Sequence, residues 1–139
     1  MVQEILCPTD GSENSYRAIA QATRIAEPAD ATVHVLAVIP EMTRGARLRE
    51  EWEERVTESL ERGEELVAEA DLEFESERRH GPVAQEIVEY ADDHDVDMIV
   101  MGTHGRTGLH KFLVGSVTQR TIELASIPVV TVPPDEDTG

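Results

Sequence analysis

Hydrophobic and polar positions follow two rhythms along this chain. Ile5-Leu6-Cys7 is a short apolar run that Pro8 closes, and Thr32 to Ile39 is a valine-rich run that Pro40 stops. Runs of this length predict strands buried on both faces. Val96 to Met101 reads the same way. Ile127 to Val132 predicts a last strand, with Pro128 putting its start at an edge or a ladder end. Leu72, Phe74 and Ser76 alternate with glutamates, the pattern of a half-exposed edge strand. Between these runs the period lengthens. Ile19, Ala22, Ile25 and Ala26 recur at helical spacing within residues 15–26, with Ser12 or Asn14 as the N-cap. Leu48, Trp52, Val56, Leu60 and Val67 line one side of a long helix whose other face is Glu and Arg. Val83, Ile87 and Ala91 form the stripe of a third helix that Gly81-Pro82 opens, with Pro82 in its first turn. A fourth runs from Ser116 to about Ala125.

Strand and helix thus alternate four times before a final strand. That order predicts βαβ units with right-handed crossovers: an α/β fold with a doubly wound, mainly parallel five-stranded sheet and helices on both faces. The 139 residues fit one domain, residues 1–134, followed by a short acidic tail over 135–139.

Charge narrows the list of partners. Asp and Glu number 29 against 12 Lys and Arg, a formal net charge of −17. Such a field repels nucleic acid and anionic membranes, so neither is expected as a partner. It also repels phosphates, so a nucleotide site would need local help from backbone N–H groups or a bound cation. Dense carboxylates suit a salt-rich cytoplasm, where self-repulsion is screened; an ordinary acidic protein is the alternative. Cys7 is the only cysteine, which rules out an intrachain disulfide and fits a reducing compartment. The N-terminus carries no basic stretch and long apolar segment of the export type, and no apolar run reaches membrane-spanning length. A cytoplasmic protein is expected.

Two loops stand where open α/β sheets bind ligands, beyond the carboxyl ends of the strands. One is Pro8-Thr9-Asp10-Gly11-Ser12. The other begins at Gly102 and carries Gly105, Gly108 and Gly115 before a helix opening on Ser116-Val117-Thr118. Glycines let bare backbone approach a ligand, and the N–H groups at the start of that helix can donate to phosphate oxygens, with the Ser116 and Thr118 hydroxyls as further donors. A merely flexible loop is the competing reading. Nothing fits the G-x-x-x-x-G-K-[ST] or G-x-G-x-x-G patterns, so neither a P-loop NTPase nor a dinucleotide enzyme is indicated. His104 lies inside the glycine loop and is a candidate ligand contact. Arg106 and Lys111 either offset phosphate charge or pair with nearby acids. His34 reads as a structural histidine in a buried strand, while His80, His94 and His110 are scattered without ligand spacing. With one cysteine, no structural zinc site is expected. Cys7, in an apolar setting, is expected to be inert.

Gly102-x-x-Gly105, nine residues, then Gly115-Ser116 is similar to the G-x2-G-x9-G-[ST] signature of ATP-binding universal stress proteins. The opening Ile5 to Ser12 and the closing Ile127-Pro128-Val129-Val130-Thr131-Val132 resemble the same family, and the likeness covers essentially the whole chain. The resemblance implies a Rossmann-like sheet of order 3-2-1-4-5 and a homodimer paired through the last strand, with Ile127, Val129, Val130 and Val132 at the interface. It implies an adenosine between the first and fourth strand ends, near Pro8, Thr9 and Asp10, with Val38 and Met101 at the base. Gly102, His104, Gly105, Gly115, Ser116, Val117 and Thr118 would surround ribose and phosphates, and Mg²⁺ or Mn²⁺ would bind through those phosphates. The function so implied is an ATP-binding stress-response or regulatory protein with an unidentified protein partner and no catalytic residues. A slow ATPase and a dimeric interaction module that binds no nucleotide are the other two readings.

Overall fold

The computed structural model describes residues 2–40, 45–104 and 115–135. Its elements are β1 (Glu4–Thr9), α1 (Glu13–Ala26), a 3-10 turn (Glu27–Ala29), β2 (Thr32–Pro40), α2 (Ala46–Ala68), β3 (Phe74–Gly81), α3 (Val83–Asp93), β4 (Met98–Gly102), α4 (Ser116–Leu124) and β5 (Val129–Val132). All pairings are parallel, and the sheet order is β3-β2-β1-β4-β5. The doubly wound, Rossmann-like fold expected from the sequence is therefore present. No described helix is long and apolar enough to cross a membrane.

Strand alternation sends successive side chains into two apolar layers. Ile5, Cys7, Val33, Val35 and Val100 meet Ala18, Ile19 and Ala22 of α1 and Val67 of α2. On the other face Leu6, Leu36, Val38, Ile99 and Met101 meet Ile87, Tyr90 and Ala91 of α3. Most of these side chains are fully buried, and each buried Val, Leu, Ile or Met contributes about 1.5–3 kcal/mol relative to exposure.

Several boundaries differ from expectation for identifiable reasons. Pro8 does not close β1; the strand continues to Thr9, with Pro8 opposite Leu36. The Glu4 carbonyl accepts from Asp97 on the β4 side, so alternation turns Pro8 to that side as well. Pairing with β4 ends at Leu6↔Ile99, and the missing N–H of Pro8 leaves no ladder bond unmade. Ser12, not Asn14, caps α1, accepting from Ser15 N–H at 3.1 Å. Pro82 is the N-cap of α3 and stands just outside its first turn. Leu48 is 43% exposed; the seam of α2 starts one turn later, where Trp52 and Val56 pack on Ala37 and Ile39. Cys7 is buried, and burial pushes its thiol pKa far up, which keeps it protonated and inert. Among the described residues, the non-glycine positions with positive φ are Asp30, Asp71 and Asp95. They stand in the turns that enter β2, β3 and β4, at the amino ends of the strands.

Candidate nucleotide site

The carboxyl ends of β1, β2 and β4 open into a cavity of about 330 Å³, within the size range of small-molecule sites. Its β1 wall is a tightly bonded turn. Gly11, at φ 81, lets the chain reverse after Asp10. Asp10 Oδ1 accepts Ser12 N–H at 3.0 Å, and Thr9 Oγ1 accepts Gly11 N–H at 3.2 Å. The Ser15 hydroxyl donates to the Ser12 carbonyl at 2.7 Å, so the 2.9 Å contact between Thr9 and Ser15 has Thr9 as the donor. Pro8 fixes the backbone at the entry.

The β4 wall is tied to α1 and β5 by Asn14. Its Oδ1 accepts His104 N–H at 2.9 Å, and its Nδ2 donates to the Val132 carbonyl at 2.9 Å. The packing is tight: a Cβ on Gly102 would lie 2.6 Å from Asn14 Oδ1. Only glycine fits beside that amide. The carbonyl of Gly102 in turn accepts the Thr118 hydroxyl at 2.8 Å, while Gly115 N–H donates to the Thr103 carbonyl at 2.6 Å. These two bonds dock the start of α4 against the end of β4.

One expected role is corrected by this arrangement. Thr118 lines the cavity but is 4% exposed, and its hydroxyl proton is engaged with Gly102. It holds the helix in place and does not add a phosphate donor. At Gly115 the φ of −64 and ψ of 156 are open to any residue, so backbone conformation does not explain the glycine. What remains is its position. As the N-cap of α4 it brings no side chain to the cap, leaving the helix entrance open to an incoming anion. Ser116 and Val117 are exposed beside it and line the cavity.

Pro8, Thr9, Asp10, Val38, Met101, Gly102, His104, Gly115, Ser116, Val117 and Thr118 all line this one cavity. Gly105, Arg106, His110 and Lys111 lie outside the described residues. His104 is buried at 5% exposure, with Nδ1 2.9 Å from Thr103 Oγ1. The sequence reading missed the opposite wall, formed by Leu36, Pro40, Trp52, Val83 and Ile87. Trp52, Val83 and Ile87 had read as helix stripe, and helical spacing alone does not separate a residue facing the sheet from one facing a gap above it. Asn14 was visible only as a candidate cap.

The cavity is chemically divided. Leu36, Val38, Pro40, Trp52, Val83, Ile87 and Met101 make an apolar slot suited to a flat ring. Thr9, Asp10, Gly102, His104 and the α4 entrance make a polar end. No Lys or Arg lines it among the described residues, so positive potential comes from the helix N-terminus. Among the described residues Asp10 is the one lining carboxylate there, and it suits hydroxyl or amino donors better than phosphate.

His34, 1% exposed, bonds through Nδ1 to Tyr90 Oη and through Nε2 to Glu4, both at 2.7 Å. It is a core histidine remote from the cavity, as its strand position suggests.

A profile described as the universal stress protein family matches residues 1–133. A universal stress protein of Methanocaldococcus jannaschii is 35% identical over 140 aligned positions, covering 95% of this chain and 82% of the relative. Among solved structures, the hypothetical protein MJ0577 superimposes with a TM-score of 0.89 at 29% identity, covering 98% of this chain and 99% of that one. A universal stress protein from Archaeoglobus fulgidus, solved in complex with dAMP, has a TM-score of 0.74 at 22% identity, covering 95% and 98%.

Proposed function

This chain belongs to the universal stress protein family, and from that premise we propose that it is an ATP-binding regulatory protein without fast turnover. The observation that carries the reading is the divided cavity: an apolar slot joined to a helix N-terminus, lined by Gly102, Gly115 and the β1 turn. An adenine fits the slot, with Val38 and Met101 at the base. Asp10 suits the ribose hydroxyls, and Ser116 and Val117 stand where backbone N–H groups would meet phosphate. The dAMP complex of the Archaeoglobus relative supports an adenine nucleotide as the ligand class. Mg²⁺ or Mn²⁺ bound chiefly through the phosphates would offset charge in a cavity that offers a single carboxylate among its described residues. Isothermal titration with ATP, ADP and AMP tests this reading. Saturable ATP binding supports it, and its absence from folded protein would move the interaction-module reading to first place.

A slow ATPase is the second reading, because His104 sits by the polar end. Asp10 already accepts the Ser12 N–H, and no described residue pairs a water-activating base with a phosphate-binding lysine. Phosphate release at ordinary enzyme rates would reverse the order.

Self-association through β5 is part of the proposal. Val129, Val130 and Val132 form an edge strand, with Ile127 just before it, and their side chains divide between the two layers. The outer main-chain edge is thus what a second copy would pair with. Sedimentation should give twice 15.4 kDa; a monomer would remove this element. The charge of −17 leads us to place the protein in a salt-rich cytoplasm, and circular dichroism across a KCl series tests that. Full cooperative folding at low salt would count against it.

A further inference from the structure

At the amino end of the sheet, opposite the cavity, three potential metal ligands converge. Register sets His34 on β2 between Leu6 of β1 and Glu75 of β3. Glu4 precedes Leu6 by two positions and shares its face. His34 Nε2 lies 2.7 Å from Glu4 Oε1 and 3.6 Å from Glu75 Oε2, and one ligand atom from each of the three lies within 4.8 Å of the others. An ion held tetrahedrally with bonds of about 2.0–2.2 Å keeps its ligand atoms roughly 3.4 Å apart. The two separations from Nε2 bracket that value, so small side-chain rotations close the site.

The surroundings match what a ligating histidine needs. Its other ring nitrogen sits 2.7 Å from Tyr90 Oη, the outer hydrogen bond that orients an imidazole and fixes its tautomer. Glu4 is 31% exposed and Glu75 60% exposed, giving an ion a path from solvent. The charge of −17 favours cation entry.

We propose that Glu4, His34 and Glu75 form a binding site for a divalent transition-metal ion of the zinc class, separate from the nucleotide cavity. An imidazole nitrogen with two carboxylates suits such ions, whereas Mg²⁺ and Ca²⁺ favour all-oxygen sets. Without the ion, Nε2 donates to the Glu4 carboxylate and Nδ1 accepts the Tyr90 hydroxyl, so the fold stands without metal. On binding, the ring proton moves from Nε2 to Nδ1 and is donated to Tyr90 Oη, the Tyr90 hydroxyl proton turns away from the ring, and the freed Nε2 lone pair bonds the ion. Bound metal ties the edge strand β3 to β1 across β2.

The test uses full-length, nucleotide-free protein stripped with a chelator. Zn²⁺ is titrated by calorimetry, Co²⁺ by visible absorption, and the His34 ring nitrogens are followed by NMR. The expected result is one ion per chain, a raised melting temperature and a tautomer switch at His34. Glu75 is exposed, so Glu75→Gln should fold normally and weaken binding by roughly tenfold or more; Tyr90→Phe should weaken it roughly ten- to hundredfold. Absence of saturable binding overturns the proposal. So does binding that survives Glu75→Gln with the His34 ring unchanged, because the ion would then be held by the acidic surface at large.

Discussion

The side-chain oxygen of Asn14 accepts the backbone N–H of His104 at 2.9 Å, across 90 positions of sequence. Through Nδ2 the same side chain reaches the Val132 carbonyl. One buried amide therefore sets the spacing of three segments at the mouth of the cavity. Asn14→Ala leaves the His104 N–H buried without its acceptor, and should cost about 1–3 kcal/mol of stability. Asn14→Asp keeps the acceptor, loses the donor and adds a buried charge, so it should rescue little. Urea denaturation checks the order. If Asn14→Ala unfolds at the wild-type midpoint, the bridge contributes nothing.

Trp52 is the only tryptophan and lines the apolar slot. An adenine entering the slot should change its emission, with the same saturation curve that calorimetry gives. Trp52→Ala should weaken ATP by about 1–3 kcal/mol, the usual value of a base on an aromatic face. Emission that stays constant while ATP binds would put the base elsewhere.

Gly115→Val should cost at least ~2 kcal/mol of ATP affinity, about thirtyfold, by filling the entrance to α4. Since φ at Gly115 is −64, valine can adopt the backbone and the variant should fold. Ser116→Ala should cost less, about 1 kcal/mol, because the backbone donors stay in place. A fluorescent ATP analogue titrated at one fixed KCl and Mg²⁺ concentration compares all three proteins. Wild-type affinity in the folded valine variant would remove the phosphates from this helix.

Asp97 gives a pH prediction. Its Oδ2 accepts the N–H groups of Gln3 and Glu4, each at 2.9 Å, and those bonds hold its carboxyl below the usual range. A depressed folded value stabilises the fold at pH above the unfolded value, near ~3.9. The contribution is lost as pH falls through the folded value. Asp97→Asn should therefore lower the urea midpoint at neutral pH, and its deficit should shrink as the solution is acidified. The group is exposed, so the effect is modest. A constant gap across pH would show that charge at Asp97 is not involved.

Most of the architecture was legible because buried parallel strands leave long apolar runs, and Thr32–Ile39 and Val96–Met101 could hardly be anything else. The polar half of the cavity was legible because glycines and a helix entrance are local features. Long-range relationships were not. Asn14 looked like a cap, and nothing local reveals that its amide reaches Val132. Trp52 and Val83 looked like core, since which part of a helix stripe overhangs a strand end depends on where the sheet stops. Pro8 misled for the same reason: its cost depends on which neighbour its missing N–H faces, and that neighbour lies 91 residues away at Ile99 and beyond.

The left-handed aspartates bear on how a polyanion and an acidic protein coexist. Asp30, Asp71 and Asp95 occupy turn positions where glycine is the common choice. Each one trades backbone ease for a carboxylate at the amino rim of the sheet. From Thr32, two residues after Asp30, to Val38 at the cavity, the chain advances six residues along β2, about 20 Å at ~3.3 Å per residue. The Debye length is about 8 Å at physiological ionic strength and about 3 Å in molar salt. Charge placed at these turns therefore fades before it reaches the cavity, and an acidic, hydrated rim would not oppose an anion bound at the far end.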